Sequence, residues 1–465
     1  MATSTMHLTD GSRTWLRERL RGELIEPGSD DYDDARAVHN GMIDRHPAAI
    51  ARCADAADVI AAVDVAREHG LLVSVRAGNH NVNGFGTNDD GLVIDLSRMR
   101  GVQVDPQRRT ARVEGGATWG DLDHATHAFG LATTGGVVST TGVGGLTLGG
   151  GIGHLARAHG LSCDNLLSAD VVTADGRFLT ASRTEHPDLF WALRGGGGNF
   201  GVVTSFEFQL HPVATVIGGP VFYEIGAAHE ALSFYREFIS TAPDELGAFF
   251  GFHLAPPLPF LPADRHGQPM CVIVACYAGD HDTGQEVVRP LLDFGPPVGH
   301  HLGPIPYPAL QSAFDALYPP GLQHYWKAEF VKELTDQVID VHLAYGPRVP
   351  HVSSAVHIYP IDGAAGRVAP GDTAFSYRDA RFATVIAAMY PDPQDTPANV
   401  AWVREYHAAL SAHSAGGAYV NFLMEEGQER IASTYRDNYP RLAEVKRSYD
   451  PANLFRVNQN IKPQS

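Results

Sequence analysis

From Ala49 onward, short apolar runs alternate with stretches of helical spacing, which is the pattern of mixed α and β structure. Ala49–Cys53 reads as a strand. Asp55 then opens a helix in which Val59, Ile60, Val63 and Ala66 recur at helical spacing until Gly70 stops it. Leu71–Val75, Leu92–Leu96, Val102–Val104 and Thr110–Val113 read as strands set apart by turn residues. Thr118 with Asp121 has the spacing of a capping box, opening a second helix that ends near Gly130. Asn165–Ala174 and Arg177–Ala181 form two strands around an Asp175-Gly176 turn, and Pro187–Leu193 forms a short helix. Val202–Leu210 is β-branched and alternating, hence a strand.

Beyond His211 and Pro212 the texture changes. Helices such as Ala227–Ser240 and strands such as Met270–Cys276 and Ser353–Tyr359 alternate with Pro-rich loops, including Ala255–Pro262 and Gly295–Pro308. After Gly416 and Gly417 the short, dense signals of the first part return. A chain of 465 residues exceeds one ordinary core. Two units are therefore expected: 1–215 closed by 412–465, and a second domain over 216–411.

The tract from Thr133 to Gly153, TTGGVVSTTGVGGLTLGGGIG, is too apolar between its glycines for a linker, so its backbone is expected to lie close against something. Gly196, Gly198 and Gly201 match G-x-G-x-x-G, but a strand follows them where the dinucleotide fingerprint needs a helix. No G-x-x-x-x-G-K-[ST] run is present. The loop Arg76, Ala77, Gly78, Asn79, His80, Asn81 is the stronger signal, because a glycine lets consecutive peptide N–H groups converge on phosphate oxygens without a helix.

Composition narrows the partners. With 44% hydrophobic and 19% charged residues the chain is globular, and its formal charge of -18 opposes nucleic acid and anionic lipid. A small-molecule substrate fits better. The start lacks the basic and apolar segments of a signal peptide, and no run of about 18 apolar residues follows, so a cytoplasmic protein off the membrane is expected. Cys53, Cys163, Cys271 and Cys276 are scattered and expected to be buried thiols; no spacing suggests a metal site.

VRAGNHNVNGFG (Val75 to Gly86) and GLVIDLSRMRGV (Gly91 to Val102) resemble the flavin-attachment region of the berberine bridge enzyme-like branch of the vanillyl-alcohol oxidase flavoproteins. The resemblance extends through the Thr133–Gly153 tract, HPDLFWALRGGGGNFGVVTSFEF (His186 to Phe208), YVNF (Tyr419 to Phe422) and YDPANLFRVNQNI (Tyr449 to Ile461), in the family's order. It implies an α+β, two-domain FAD-binding fold with an antiparallel-sheet substrate domain. It also implies FAD joined through its 8α carbon to His80. Val138 stands where many plant members carry a second, cysteine tether, so one bond is expected. By the same resemblance Arg76, Ala77, Gly78, Asn79, Asn81, Thr140, Thr141, Gly142 and Gly145 cradle the pyrophosphate, with Gly150 and Asn165 nearby. Val203, Tyr419, Asn421 and Asn458 lie along the flavin, and Tyr377 and Arg378 lie near the pocket.

In Ser354-Ala-Val-His-Ile-Tyr359, two-residue spacing puts His357 and Tyr359 on one face of a strand. The family's sheet at this place roofs the flavin and commonly presents an acidic base, so His357 and Tyr359 become the candidate proton acceptors. A solvent-facing strand edge is the competing interpretation. The expected activity is oxidation of a small aromatic, alkaloid, polyketide or alcohol substrate, with oxygen as electron acceptor. A monooxygenase of secondary metabolism and a flavoprotein that sequesters a drug are the alternatives.

Overall fold

The computed structural model describes residues 8–424 and 426–464. Among these residues its first part contains two large sheets and a short pair, Leu131–Ala132 with His211–Pro212. One orders its strands Glu23–Ile25, Ala49–Arg52, Leu92–Asp95, Val73–Arg76, and the last three run parallel. The helix Ala56–His69 carries the chain from Ala49–Arg52 to Val73–Arg76, the parallel strands on either side of Leu92–Asp95. Asp55 caps it by accepting the Ala57 and Asp58 N–H groups, and Gly70 ends it in the left-handed region at φ 61°. The other sheet is antiparallel, ordered Val102–Asp105, Thr110–Glu114, Val202–Gln209, Leu166–Val172, Phe178–Ser182. Val172 and Val202 from this sheet pack with Val59, Val63 and Ile94, so the two sheets share a core.

The second part is built on one antiparallel sheet of eight strands. In order they are Gly299–His300, Thr215–Glu224, Pro269–Tyr277, Leu246–Leu254, Ala355–Pro360, Phe382–Tyr390 and Gln323–Val331, with Gly303–Pro306 also on Thr215–Glu224. Both faces are covered. Cys271, Ile273 and Ala275 turn toward the helices Ala228–Thr241, Asp336–Tyr345 and Thr396–Ser411. Met270, Val272, Val274 and Cys276 turn toward Ile152, Leu155 and Leu161 of the first part. Each fully buried Val, Ile or Leu contributes about 1.5–3 kcal/mol. Double burial also explains why these strands read as unbroken apolar runs and not as alternation.

One sequence expectation changes in detail, and one element is new. Gly295–Pro308 is not wholly loop, because two short strands within it extend the sheet edge. The glycine tract holds a six-residue helix, Val143–Leu148, opened by Gly142. The four cysteines are buried and unpaired. Among the described residues no helix is long and apolar enough to cross a membrane.

The C-terminal run is locked onto the first part by a buried charge. The Lys446 ammonium, fully buried, donates to Asp450 Oδ2 at 2.6 Å, Asn199 O at 2.7 Å and Phe455 O at 2.8 Å. Asp450 in turn accepts the N–H groups of Leu454 and Phe455. Asn199 accepts the Ile461 N–H and donates to Gln459 O. These bonds fix the segment carrying Asn458 against the Gly195–Gly201 loop.

Candidate functional site

A cleft of about 330 Å³ runs between the glycine-rich loops of the first part and the inner face of the eight-stranded sheet. It begins beyond the carboxyl end of the parallel strand Val73–Arg76, the usual place for a ligand in such sheets. Asn79 takes φ 60° there, a conformation Asn tolerates better than most residues, and turns the chain so that His80 faces the cleft. Gly78 and Gly142 meet backbone to backbone: a Cβ on Gly142 would lie 2.6 Å from Gly78 N. Only glycine permits that approach.

The His80 imidazole is held at both nitrogens, Nε2 at 2.9 Å from Thr140 Oγ1 and Nδ1 at 3.5 Å from Thr141 Oγ1. Burial first, then His39 and His324, push its pKa well below the ordinary value, so the ring is neutral. The His39 ring stacks on it, centroids 4.0 Å apart.

Opposite, His357 and Tyr359 project from the same face of Ala355–Pro360 into the cleft. This strand lies between Leu246–Leu254 and Phe382–Tyr390, so it is no solvent-facing edge. Tyr359 Oη lies 2.7 Å from His357 Nδ1, and His357 Nε2 lies 2.8 Å from His253 Nε2. Burial, reinforced by His253 and His154, depresses His357; burial alone lowers His253 to about 4. Burial raises Tyr359 well above its usual value. All three are therefore neutral near pH 7. Gly251 stands opposite His357 in the register, and its missing side chain lets the two imidazoles meet.

A third centre is the Tyr419 hydroxyl. It accepts from Gly151 N at 2.8 Å, Ile152 N at 3.3 Å and Asn421 Nδ2 at 2.7 Å. Burial raises its pKa to about 12, and the three donors limit that rise. The Asn421 amide also donates to Leu146 O, which fixes its orientation.

The cleft brings together Ala77, Gly78, Asn79, His80, Asn81, Thr141, Gly142, Gly145, Val203, His357, Tyr359, Tyr419, Asn421 and Asn458. It does not bring in every residue singled out from sequence. Thr140 reaches it only through His80. Gly150 lies behind Tyr419 and Phe375. Arg76 donates to the Ala35 and Ala37 carbonyls, and Asn165 donates to His159 O and Leu161 O. Tyr377 stacks on Phe330, and Arg378 pairs with Asp164. Residues to which sequence reading gave no site role also line the cleft: His39, Tyr318, His324, Trp326, Gly198 and Asn199. The glycines of the rejected G-x-G-x-x-G match were the available signal for the last two.

The donor set suits a flavin nucleotide. A Cβ on Gly145 or Gly198 would meet nothing within 4 Å, so both leave open cradle space along the cleft. Trp326 Nε1, His324 Nε2, Tyr318 Oη and Asn458 Oδ1 are buried on its walls without a protein partner. No Asp, Glu, Lys or Arg is among its described lining residues.

Comparison with known proteins agrees. A profile described as FAD binding domain matches residues 47–182, and one described as berberine and berberine-like matches 418–462. A FAD-linked oxidoreductase of Dictyostelium discoideum is 33% identical over 451 residues, covering 96% of each chain. A chitooligosaccharide oxidase of Gibberella zeae is 28% identical, over 94% of this chain and 92% of its own. The crystal structure of 6-hydroxy-D-nicotine oxidase from Arthrobacter nicotinovorans superposes with a TM-score of 0.84 at 30% identity, covering 96% of this chain and 98% of that one.

Proposed function

This chain belongs to the berberine and berberine-like family of FAD-linked oxidoreductases, and on that premise we propose an oxidase with FAD tethered singly to His80. Its substrate is an uncharged, aromatic organic molecule, and oxygen is the electron acceptor. The observation that carries this reading is one cleft with a neutral His80 at one place, a neutral His253–His357–Tyr359 chain at another, and no charged side chain on its described walls.

Bound FAD supplies the two-electron acceptor. The peptide N–H groups of Ala77 to Asn81 and of Gly142, Gly144 and Gly145 form the cradle for its pyrophosphate, while those of Thr141 and Val143 are given to Val138 O and Ala117 O. Tyr419, Asn421 and Asn458 provide polar groups along its edge. If Nε2 of His80 donates to Thr140, the Nδ1 lone pair is the nucleophile; lowered basicity keeps it unprotonated. Val138, on the cleft wall, has no thiol for a second bond.

Tyr359 and His357 handle the substrate proton. Tyr359 Oη accepts it while passing its own to His357 Nδ1, and His357 passes its Nε2 proton to His253. Such a relay avoids a free phenolate, which burial disfavours. Trp326 and Phe422 offer aromatic walls, and Trp326 Nε1 offers a donor for a substrate oxygen. Relatives named for oxidation of 6-hydroxy-D-nicotine and of chitooligosaccharides support oxidation of small organic molecules.

The test is a screen of neutral phenols, alkaloids, polyketides and sugars, alongside carboxylated analogues, for oxygen uptake with peroxide assay. Matched oxygen loss and peroxide gain with an uncharged aromatic is expected. Turnover restricted to the carboxylated analogues, or oxygen entering the product without peroxide, would refute the reading.

A further inference from the structure

His80 is gripped at its edge by Thr140 and Thr141, but edge contacts alone leave the ring free to rock about its plane. The face contact comes from His39, whose ring lies 4.0 Å away and only 22° from parallel. His39 itself has little freedom. Its N–H donates to Asn79 O at 3.2 Å, and its carbonyl accepts from Gly321 N at 2.9 Å. The next side chain, Asn40, donates to Val82 O and His324 O and accepts the His324 N–H. This short segment is thus stitched to the His80 loop on one side and to the roof strand Gln323–Val331 on the other. The His324 ring continues the stack, 5.2 Å from His39.

We propose that His39 is a positioning residue for covalent loading of the flavin: its ring is the flat wall that sets the plane of His80 for bond formation. The inference rests on the His80 tether proposed above. In the step, a bond forms between a His80 ring nitrogen and the carbon of the flavin 8-methyl group. One methyl C–H breaks, and that hydrogen and the imidazole N–H hydrogen leave as protons. The electron pair of the broken C–H bond reduces the flavin, and dioxygen takes both electrons and both protons as hydrogen peroxide. His39 exchanges no proton in this account. Burial lowers it to about 4, so it stays uncharged and does not repel the positive charge that His80 gains while it still carries its second proton. A ring set at the wrong angle loses the alignment that makes an intramolecular attack fast.

The test compares His39→Phe with His39→Leu, two apolar replacements of similar bulk of which only one is flat. Each purified protein, with wild type and His80→Ala, is incubated with excess FAD in air, sampled over time and denatured in acid. Flavin is measured in the pellet as covalent and in the supernatant as released. Wild type and His39→Phe should load fully at similar rates, while His39→Leu binds FAD yet attaches it about 10- to 100-fold more slowly. Equal rates for Phe and Leu overturn the proposal, since flatness then makes no difference. A Phe variant as slow as Leu, or slower, overturns it too, because imidazole chemistry and not a flat face would then be required. Covalent flavin surviving in His80→Ala refutes the tether itself, a different failure from either of these.

Discussion

Tyr359, His357 and His253 make a hydrogen-bonded chain that is consistent in two directions. Either Tyr359 donates to His357 and His357 to His253, or every donor and acceptor reverses. A chain with two settings can accept a proton at one end without leaving a charge at that end. Removing either end group of the His357–Tyr359 pair should therefore slow flavin reduction by about 100- to 10,000-fold while changing substrate binding much less. Tyr359→Phe and His357→Ala, compared by anaerobic stopped flow, measure this; wild-type rates in both place the base elsewhere. Gly251→Ala tests the geometry without touching the pair. Its new methyl would sit 3.1 Å from His357 Cδ2 and 3.3 Å from His253 Cδ2, so the imidazoles must part and reduction should slow. The pair was legible in the sequence because two-residue spacing aims both side chains one way. His253 was not, since a single histidine in the apolar run LGAFFGFHL reads as core until strand register sets Gly251 opposite His357.

Among the elements, the loops were easier to read than the sheet that covers them. Glycines mark Gly78 and Gly142 in plain text because backbone proximity excludes a side chain there. The strands Leu246–Leu254 and Phe382–Tyr390 are buried along nearly their whole length, and that removes the polar alternation by which a strand is recognised. The C-terminal run shows the opposite case: YDPANLF announces a turn, yet the partner of Asp450 is Lys446, a residue that reads as an exposed helix position. Breaking this fully buried pair should cost about 3–5 kcal/mol. Lys446→Met should lower the melting temperature markedly and loosen the Asn458 segment, seen as faster hydrogen exchange at 454–461. In the double variant with Asp450→Asn, less stability should be lost than the two single changes sum to. An unchanged melting temperature in Lys446→Met would show that the buried ammonium does not hold this segment.

At the scale of the whole molecule, we propose that 1–215 and 412–465 form one unit around which 216–411 is inserted. Limited proteolysis should cut Pro-rich loops such as Ala255–Pro262 first, leaving the two outer segments associated. A stable flavin-bearing fragment ending near residue 215 would contradict the partition. Acid should also weaken the molecule in a defined window. His154 and His253 are lowered to about 4, and His324 and His342 to about 3, all by burial. Their folded values lie below the unfolded value of about 6.5, so the unfolded chain binds protons first and stability falls as pH drops through 6 toward 4. Each fully buried ring costs about 1.4 kcal/mol by about pH 5.5. Melting temperature measured from pH 7.5 to 5 should fall steadily, and a flat profile would deny that these rings stay neutral. The central claim, that this cleft takes electrons from an uncharged organic molecule and gives them to oxygen, is tested most directly by anaerobic mixing of the holoprotein with the screened substrates. The account predicts that the visible flavin absorbance bleaches with an uncharged aromatic and returns on admitting air, with one peroxide formed per flavin. A ligand that binds one to one while the flavin stays oxidised across the whole panel would contradict it and make the protein a sequestering flavoprotein instead.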